Sequence, residues 1–227
     1  MEAPEIKDPV RLRRQALAAF AIATTVNALL LGWLYRYYRV GYIDHLIAEL
    51  DRPGIPDADV ETALVERKDD SIGPLGAALA APGNGVELRS RAAEVLGSTK
   101  DERALPYLAA ALEDPDWRIR QAAAVGLSRM ESRSSLETLD RALADPSASV
   151  RARAVASLGN YPPVWTVDRL EAASLDPEVA VRDQARIALE KALRTDLPAD
   201  HPVRIRIEDI LGKNREEPGP RSHGRRP

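Results

Sequence analysis

The segment DPDWRIRQAAAVGL at residues 114–127 is followed by DPSASVRARAVASL at 145–158 and by DPEVAVRDQARIAL at 176–189. The three segments begin 31 residues apart and align without gaps. A fixed period over many positions indicates a solenoid, in which each unit buries its apolar face only against its neighbours. The alanine positions of the register are Ala92, Ala123, Ala154 and Ala185, and its leucine positions are Leu96, Leu127, Leu158 and Leu189.

Each unit is predicted to be a helical hairpin. The leucines of 105–112 fall at i, i+3 and i+7, the spacing of one helical face, and the apolar residues of 119–127 recur every four residues. The Asp-Pro step ends the first helix, because the residue before proline is disfavoured in the α region and aspartate can cap the next helix. The prediction is an all-α fold, an α-solenoid over residues 70–194 whose last unit securely keeps only its second helix, about 179–194.

The flanking segments are less regular. A degenerate capping repeat is expected over 40–69 and a cap or linker over 195–212, with a possible short helix near Val203–Leu211. The basic segment 213–227 has almost nothing apolar to bury and is expected to be disordered.

The repeats resemble HEAT repeats, specifically the short form found in phycobilisome-lyase-type HEAT-like proteins. The resemblance covers roughly residues 70–194. It implies a ladder between units, in which an aspartate of each turn and an arginine six residues later stack. The matching pairs are Asp114 with Arg120, Asp145 with Arg151, and Asp176 with Arg182. Two features depart from the pattern: the period is shorter than the roughly 40–47 residues usual for HEAT arrays, and Ser174 occupies an apolar register position, where a small packing defect is expected.

A membrane anchor is predicted near the N-terminus, at residues 16–39. Ala16–Tyr35 is a run of twenty residues without a charge. A helix of that length is about long enough to cross roughly 30 Å of hydrocarbon. Arginines flank it on both sides, and aromatic residues cluster at its C-terminal end. A buried or capping helix is the alternative. The basic segment 1–15 weakly favours a single-pass protein with a cytoplasmic N-terminus.

Composition and charge argue against several functions. The net charge of −3 is the sum of +3 on residues 1–39, +3 on residues 213–227 and −9 on residues 40–212. The acidic segment 40–212 therefore lacks the basic surface that nucleic-acid binding requires. There is no cysteine, and three scattered histidines make a metal site improbable. No phosphate-binding loop or nucleophile elbow is present. No catalytic residue, metal site or cofactor is predicted.

The remaining candidate is a surface. In HEAT arrays the second helices line the concave side, and their outward positions could bind an acidic, partly apolar helix or peptide. A solvated face with incidental apolar residues is the alternative. Trp117 and Trp165, at helix starts, either contact a partner or cover a turn. The predicted partner-binding residues are Arg91, Arg118, Gln121, Val125, Arg129, Arg153, Ala156 and Ile187.

The sequence therefore predicts a membrane-anchored, non-catalytic scaffold or adaptor that binds a protein partner. Two alternatives stay open at this point. One is a bilin-lyase-like enzyme subunit, since bilin lyases share these repeats, and the other is a soluble repeat subunit whose N-terminal helix packs inside a larger complex.

Overall fold

A computed structural model describes residues 9–50 and 58–216; within them, the side chains at 9–16, 18–19, 35–36, 39–40 and 213–216 are outside the description. Every regular element in these ranges is helical, as predicted. The chain divides into two compact units, Met1–His45 and Leu46–Pro227. The helices are α1 Pro9–Leu50, α2 Ala58–Glu66, α3 Lys68–Ala80, α4 Val86–Ser98, α5 Leu105–Ala111, α6 Trp117–Met130, α7 Arg133–Leu143, α8 Ala148–Leu158, α9 Pro163–Ala173, α10 Val179–Leu193 and α11 Pro202–Glu216; a 3-10 turn at Glu102–Ala104 precedes α5.

Four helical hairpins follow α2, and their second helices α4, α6, α8 and α10 pack side by side. The register explains this stacking, because all four residues of the alanine column and all four of the leucine column have 0% exposure. Small alanines let neighbouring helices approach, and the leucines fill the space between the two helices of each unit. The structure therefore shows the predicted α-solenoid.

Helices α4 and α6 approach each other closely at two glycines. A Cβ atom added at Gly97 would lie 2.0 Å from the carbonyl oxygen of Gly126, and one added at Gly126 would lie 2.4 Å from the carbonyl oxygen of Ala93. Real Cβ atoms do not approach backbone oxygens so closely, so both positions require glycine. Backbone contact here fixes the spacing between the first two hairpins.

The fourth hairpin differs from the prediction, because its first helix is present as α9. Val167 and Leu170 stand 31 residues after Leu136 and Leu139 and are buried like them. Ser174 interrupts the pattern, but its hydroxyl donates to the Glu171 carbonyl at 2.7 Å. The hydrogen bond satisfies this buried polar group locally.

The C-terminal helix α11 is also longer than predicted and packs against α9 and α10. Ile207, Ile210 and Leu211 are buried. The helix continues to Glu216, so residues 213–216 of the predicted disordered tail are helical, and residues 217–227 lie outside the described residues.

The aspartate-arginine ladder forms, but with a different pairing from the one predicted. The Arg120 guanidinium donates to the Asp145 carboxylate at 2.7 and 3.0 Å, one unit onward, and to the backbone carbonyl of Asp114 at 2.9 Å. Arg151 repeats this arrangement with the Asp176 carboxylate and the Asp145 carbonyl. Each arginine therefore joins two consecutive turns, and the residue six positions earlier supplies its backbone oxygen.

The turn aspartates also accept backbone hydrogen bonds. Asp145 accepts the N–H of Ser147 at 2.8 Å. Burial opposes a lowered pKa for Asp145, but the hydrogen bonds from Arg120 and the Ser147 N–H outweigh it, so this pKa lies below its usual value. Asp145 therefore organises the turn before α8, but the N-cap of α8 is Ser147. In the same way the N-cap of α6 is Asp116, which accepts from Arg118 N, and not Asp114.

The predicted anchor, residues 16–39, belongs to α1. Among the described residues, no helix has both the length and the hydropathy of a membrane span. Several positions of this segment, including Ala16, Tyr35 and Arg39, lie outside the described side chains.

Candidate partner-binding surface

A groove of about 420 Å³ crosses the second helices. It lies over α4 and α6 and ends at Arg153 of α8. Four of the eight predicted partner-binding residues line it, namely Arg118, Gln121, Val125 and Arg153. The remaining lining residues are Val86, Glu87, Ser90, Glu94 and Ala122.

Both acidic residues of the groove are paired. Glu87 accepts from Arg91 at 2.8 Å, and Glu94 accepts from Arg129 at 2.6 Å. The groove's acidic charge is therefore compensated by neighbouring arginines.

The basic residues of the groove differ from each other. Arg118 donates to Asp116 at 2.6 and 3.0 Å, and these side-chain bonds, with the backbone bond from Arg118, lower the pKa of Asp116 to about 2. Arg153 is exposed and forms no ion pair within the part of the chain that the structure describes. The one uncompensated charge on the described groove lining is thus the Arg153 guanidinium.

Arg91 and Arg129 belong to structural contacts. Arg91 donates to the Leu50 carbonyl at 3.0 Å as well as to Glu87. Arg129 contacts Glu61 of α2 at 3.3 Å in addition to Glu94. These arginines join the second helices to the N-terminal cap, a role that the sequence could not reveal without the position of α2.

The other predicted residues lie beyond the groove. Ala156 is half-buried on α8, and Ile187 of α10 is 49% exposed. Trp117 begins α6 and is exposed, while Trp165 is half-buried with the Arg133 guanidinium 5.9 Å from its ring centroid. Ser90 was missed, although it stands 31 residues before Gln121 and the register alone could have identified it.

A second hollow, of about 500 Å³, lies at the boundary between the third and fourth hairpins. Leu143, Val155 and Ala172 contribute apolar surface. Arg169 crosses it to donate to Asp140 at 2.7 Å and to the Trp165 carbonyl at 2.7 Å, and the hydrogen bond to Asp140 raises the arginine's pKa. The polar groups here are occupied by contacts between the hairpins.

Comparison with known proteins agrees with this architecture. Residues 72–159 match the family model described as HEAT repeats. These residues therefore contain HEAT repeats. The resemblance to HEAT repeats is confirmed, and the matched residues include both α4 and α6 of the groove.

Among solved structures, the chain is similar to one described as the complex of CpcE and CpcF of phycocyanin lyase from Nostoc sp.. The identity is 17% and the TM-score 0.34, and the match covers 76% of this chain and 94% of that chain. No curated protein matches the sequence.

Proposed function

We propose that this protein is a non-catalytic scaffold whose groove across α4, α6 and α8 holds an acidic segment of a protein partner. Arg153 carries the proposal, because it is exposed at the groove's edge and its guanidinium has no carboxylate partner among the described residues. Val125 and Ala122 provide apolar surface beside it. An amphipathic helix with a carboxylate on its rim would complement both features.

Charge reversal at Arg153 provides the test. Arg141 of α7 is a matched control, since it is exposed, lies on a first helix and forms no ion pair in the described part of the chain. We expect crosslinking in intact membranes, followed by purification of the full chain, to recover a partner with Arg141→Glu. Arg153→Glu should lose that partner, and Arg153→Lys should restore most of it.

Circular dichroism and thermal melting of the purified variants provide the folding control. The groove proposal fails if Arg153→Glu recovers the partner undiminished while Arg141→Glu loses it, because the first helices would then be the interaction surface.

We also propose that α1 anchors the scaffold in a membrane as a single pass, with the N-terminus on the cytoplasmic side. The supporting observation is the exposure of its apolar side chains, including Phe20 at 71%, Leu29 at 74% and Trp33 at 60%. Leaving so large an apolar surface in water is unfavourable. The uncharged run Ala16–Tyr35 and its flanking arginines add sequence support.

Carbonate washing of membranes tests the anchor. The full chain should stay in the membrane fraction, whereas a chain beginning near Gly41 should be released. Release of the full chain would contradict the anchor and favour a subunit whose α1 is buried in a larger complex. Protease accessibility of the repeat domain in sealed vesicles tests the orientation.

A further inference from the structure

The polar residues in the middle of α1 are not equivalent. Thr24 donates its hydroxyl to the Phe20 carbonyl at 3.0 Å, and Thr25 donates to the Ile22 carbonyl at 2.8 Å. Asn27 is exposed, and its carboxamide has no hydrogen-bond partner in the described part of the chain. A carboxamide needs both donors and acceptors, and it cannot obtain them from hydrocarbon.

Every described side chain of α1 from residue 20 to residue 34 is exposed, so the face that contains Asn27, which we call the seam, is identified by its spacing. Starting at Leu17, the seam advances by alternating steps of three and four residues, which is the heptad spacing of paired helices. Phe20 is 71% exposed, Leu31 57% and Leu34 40%. The full seam is Leu17, Phe20, Thr24, Asn27, Leu31, Leu34 and Tyr38.

We propose that two copies of this protein pair through this seam, with Asn27 of one copy hydrogen-bonded to Asn27 of the other. The proposal rests on the membrane anchor. Copies inserted by the same charge rule share one orientation, so their α1 helices run parallel and place identical residues opposite each other. A carboxamide complements a second carboxamide, because each supplies an N–H donor and a carbonyl acceptor.

The depth of Asn27 strengthens the choice of a second copy. It stands eleven residues after Ala16 and eight before Tyr35, so it lies roughly 12–17 Å from either end of the uncharged run at about 1.5 Å per residue. That position is close to the middle of a bilayer, beyond the reach of lipid headgroups. Interhelical hydrogen bonds from such residues favour helix association in membranes.

Disulfide trapping tests the pairing directly, because the chain contains no cysteine. Leu31→Cys lies on the seam one turn after Asn27. Leu29→Cys is the matched control, because Leu29 is the same residue type and is at least as exposed, at 74%, but lies on the opposite face of α1. The full-length variants are oxidised in membranes and separated on a non-reducing gel.

We expect a disulfide-linked dimer from Leu31→Cys and little from Leu29→Cys. Adding Asn27→Leu should reduce the dimer about threefold, the average contribution of an interhelical hydrogen bond in a membrane, while Asn27→Gln should retain it. Equal trapping at positions 29 and 31, or trapping unaffected by Asn27→Leu, would overturn the seam.

Carbonate washing of the same samples separates this proposal from the anchor. A chain that stays in the membrane without trapping at position 31 refutes the pairing and leaves the anchor intact. A chain that washes off contradicts the anchor and, with it, the parallel pairing in the bilayer, whatever crosslinks form at position 31.

Discussion

Replacing Gly97 with alanine tests the backbone contact between α4 and α6. The new Cβ atom would lie 2.0 Å from the carbonyl oxygen of Gly126 and 2.5 Å from its carbonyl carbon. Ordinary carbon–oxygen contacts are about 3.3 Å or longer, so the helices would have to separate by about 1 Å. Since the obstacle is backbone rather than a flexible side chain, the packed interface must absorb the movement.

The expected magnitude follows from two opposing terms. Overpacking a well-packed contact costs about 1–3 kcal/mol, whereas replacing glycine by alanine inside a helix gains about 0.5–1 kcal/mol. Gly97→Ala should therefore lower the free energy of unfolding by about 1–2 kcal/mol. Gly212 of α11 provides the control, because it is exposed and a Cβ atom there meets nothing within 4 Å. Gly212→Ala should gain the helix term alone and raise the free energy of unfolding by about 0.5–1 kcal/mol.

Denaturant titration of the full chain in mild detergent, followed by far-UV circular dichroism, measures both variants. The two changes are chemically identical, so their opposite signs isolate the helix contact. A Gly97→Ala variant as stable as Gly212→Ala would refute the close packing of the first two hairpins.

The ladder predicts that Asp145→Ala and Arg120→Ala each destabilise the repeats by about 1–3 kcal/mol and are strongly coupled in a double-mutant cycle. Asp145→Ala with Arg151→Ala should be nearly additive, because Arg151 bonds the backbone carbonyl of Asp145, which alanine keeps, and not its carboxylate; equal coupling in both cycles would contradict the pairing. Because folding lowers the pKa of Asp145, its contribution to stability should be intact above about pH 4 and should be lost as acid protonates the carboxylate. The free energy of unfolding of Asp145→Ala should therefore fall less steeply with acid than that of the unchanged protein. Tyr161→Phe should cost about 1–3 kcal/mol, because the buried hydroxyl donates to the Leu127 carbonyl at 2.7 Å and that oxygen would lose its partner. Burial raises the pKa of Tyr161 to about 12. The protonated hydroxyl therefore stabilises the fold fully below pH 10, and this stabilisation is lost between about pH 10 and 12. If the melting temperatures of the unchanged protein and of Tyr161→Phe fall equally over that range, the raised pKa is contradicted.

The period of the sequence predicted the second helices well, because their alanine and leucine columns repeat without interruption. The first helix of the fourth hairpin was harder to recognise, since Ser174 replaces an apolar residue and only Val167 and Leu170 keep the register. Local periodicity identifies a helix only while its buried face stays uniformly apolar.

The spacing of residues in the sequence could not predict which side chains pair between repeat units. The sequence places Arg120 six residues after Asp114, but the carboxylate it binds belongs to Asp145, one unit onward. For the same reason the sequence predicts Arg129 as a partner contact, although Arg129 forms ion pairs with Glu94 and Glu61 from two other helices. The register predicts which residues point outward, and tertiary packing decides which of them are already engaged.

Photocrosslinking from the groove tests the central claim most directly. A photoreactive residue is placed at Gln121 in the groove or at Arg141 on α7, and the full chain is irradiated in intact membranes. We expect a discrete protein adduct from position 121 and none from position 141, and the adduct should disappear when Arg153→Glu is added. Adducts from position 141 alone, or an adduct at position 121 that persists with Arg153→Glu, would contradict the groove as the partner-binding surface.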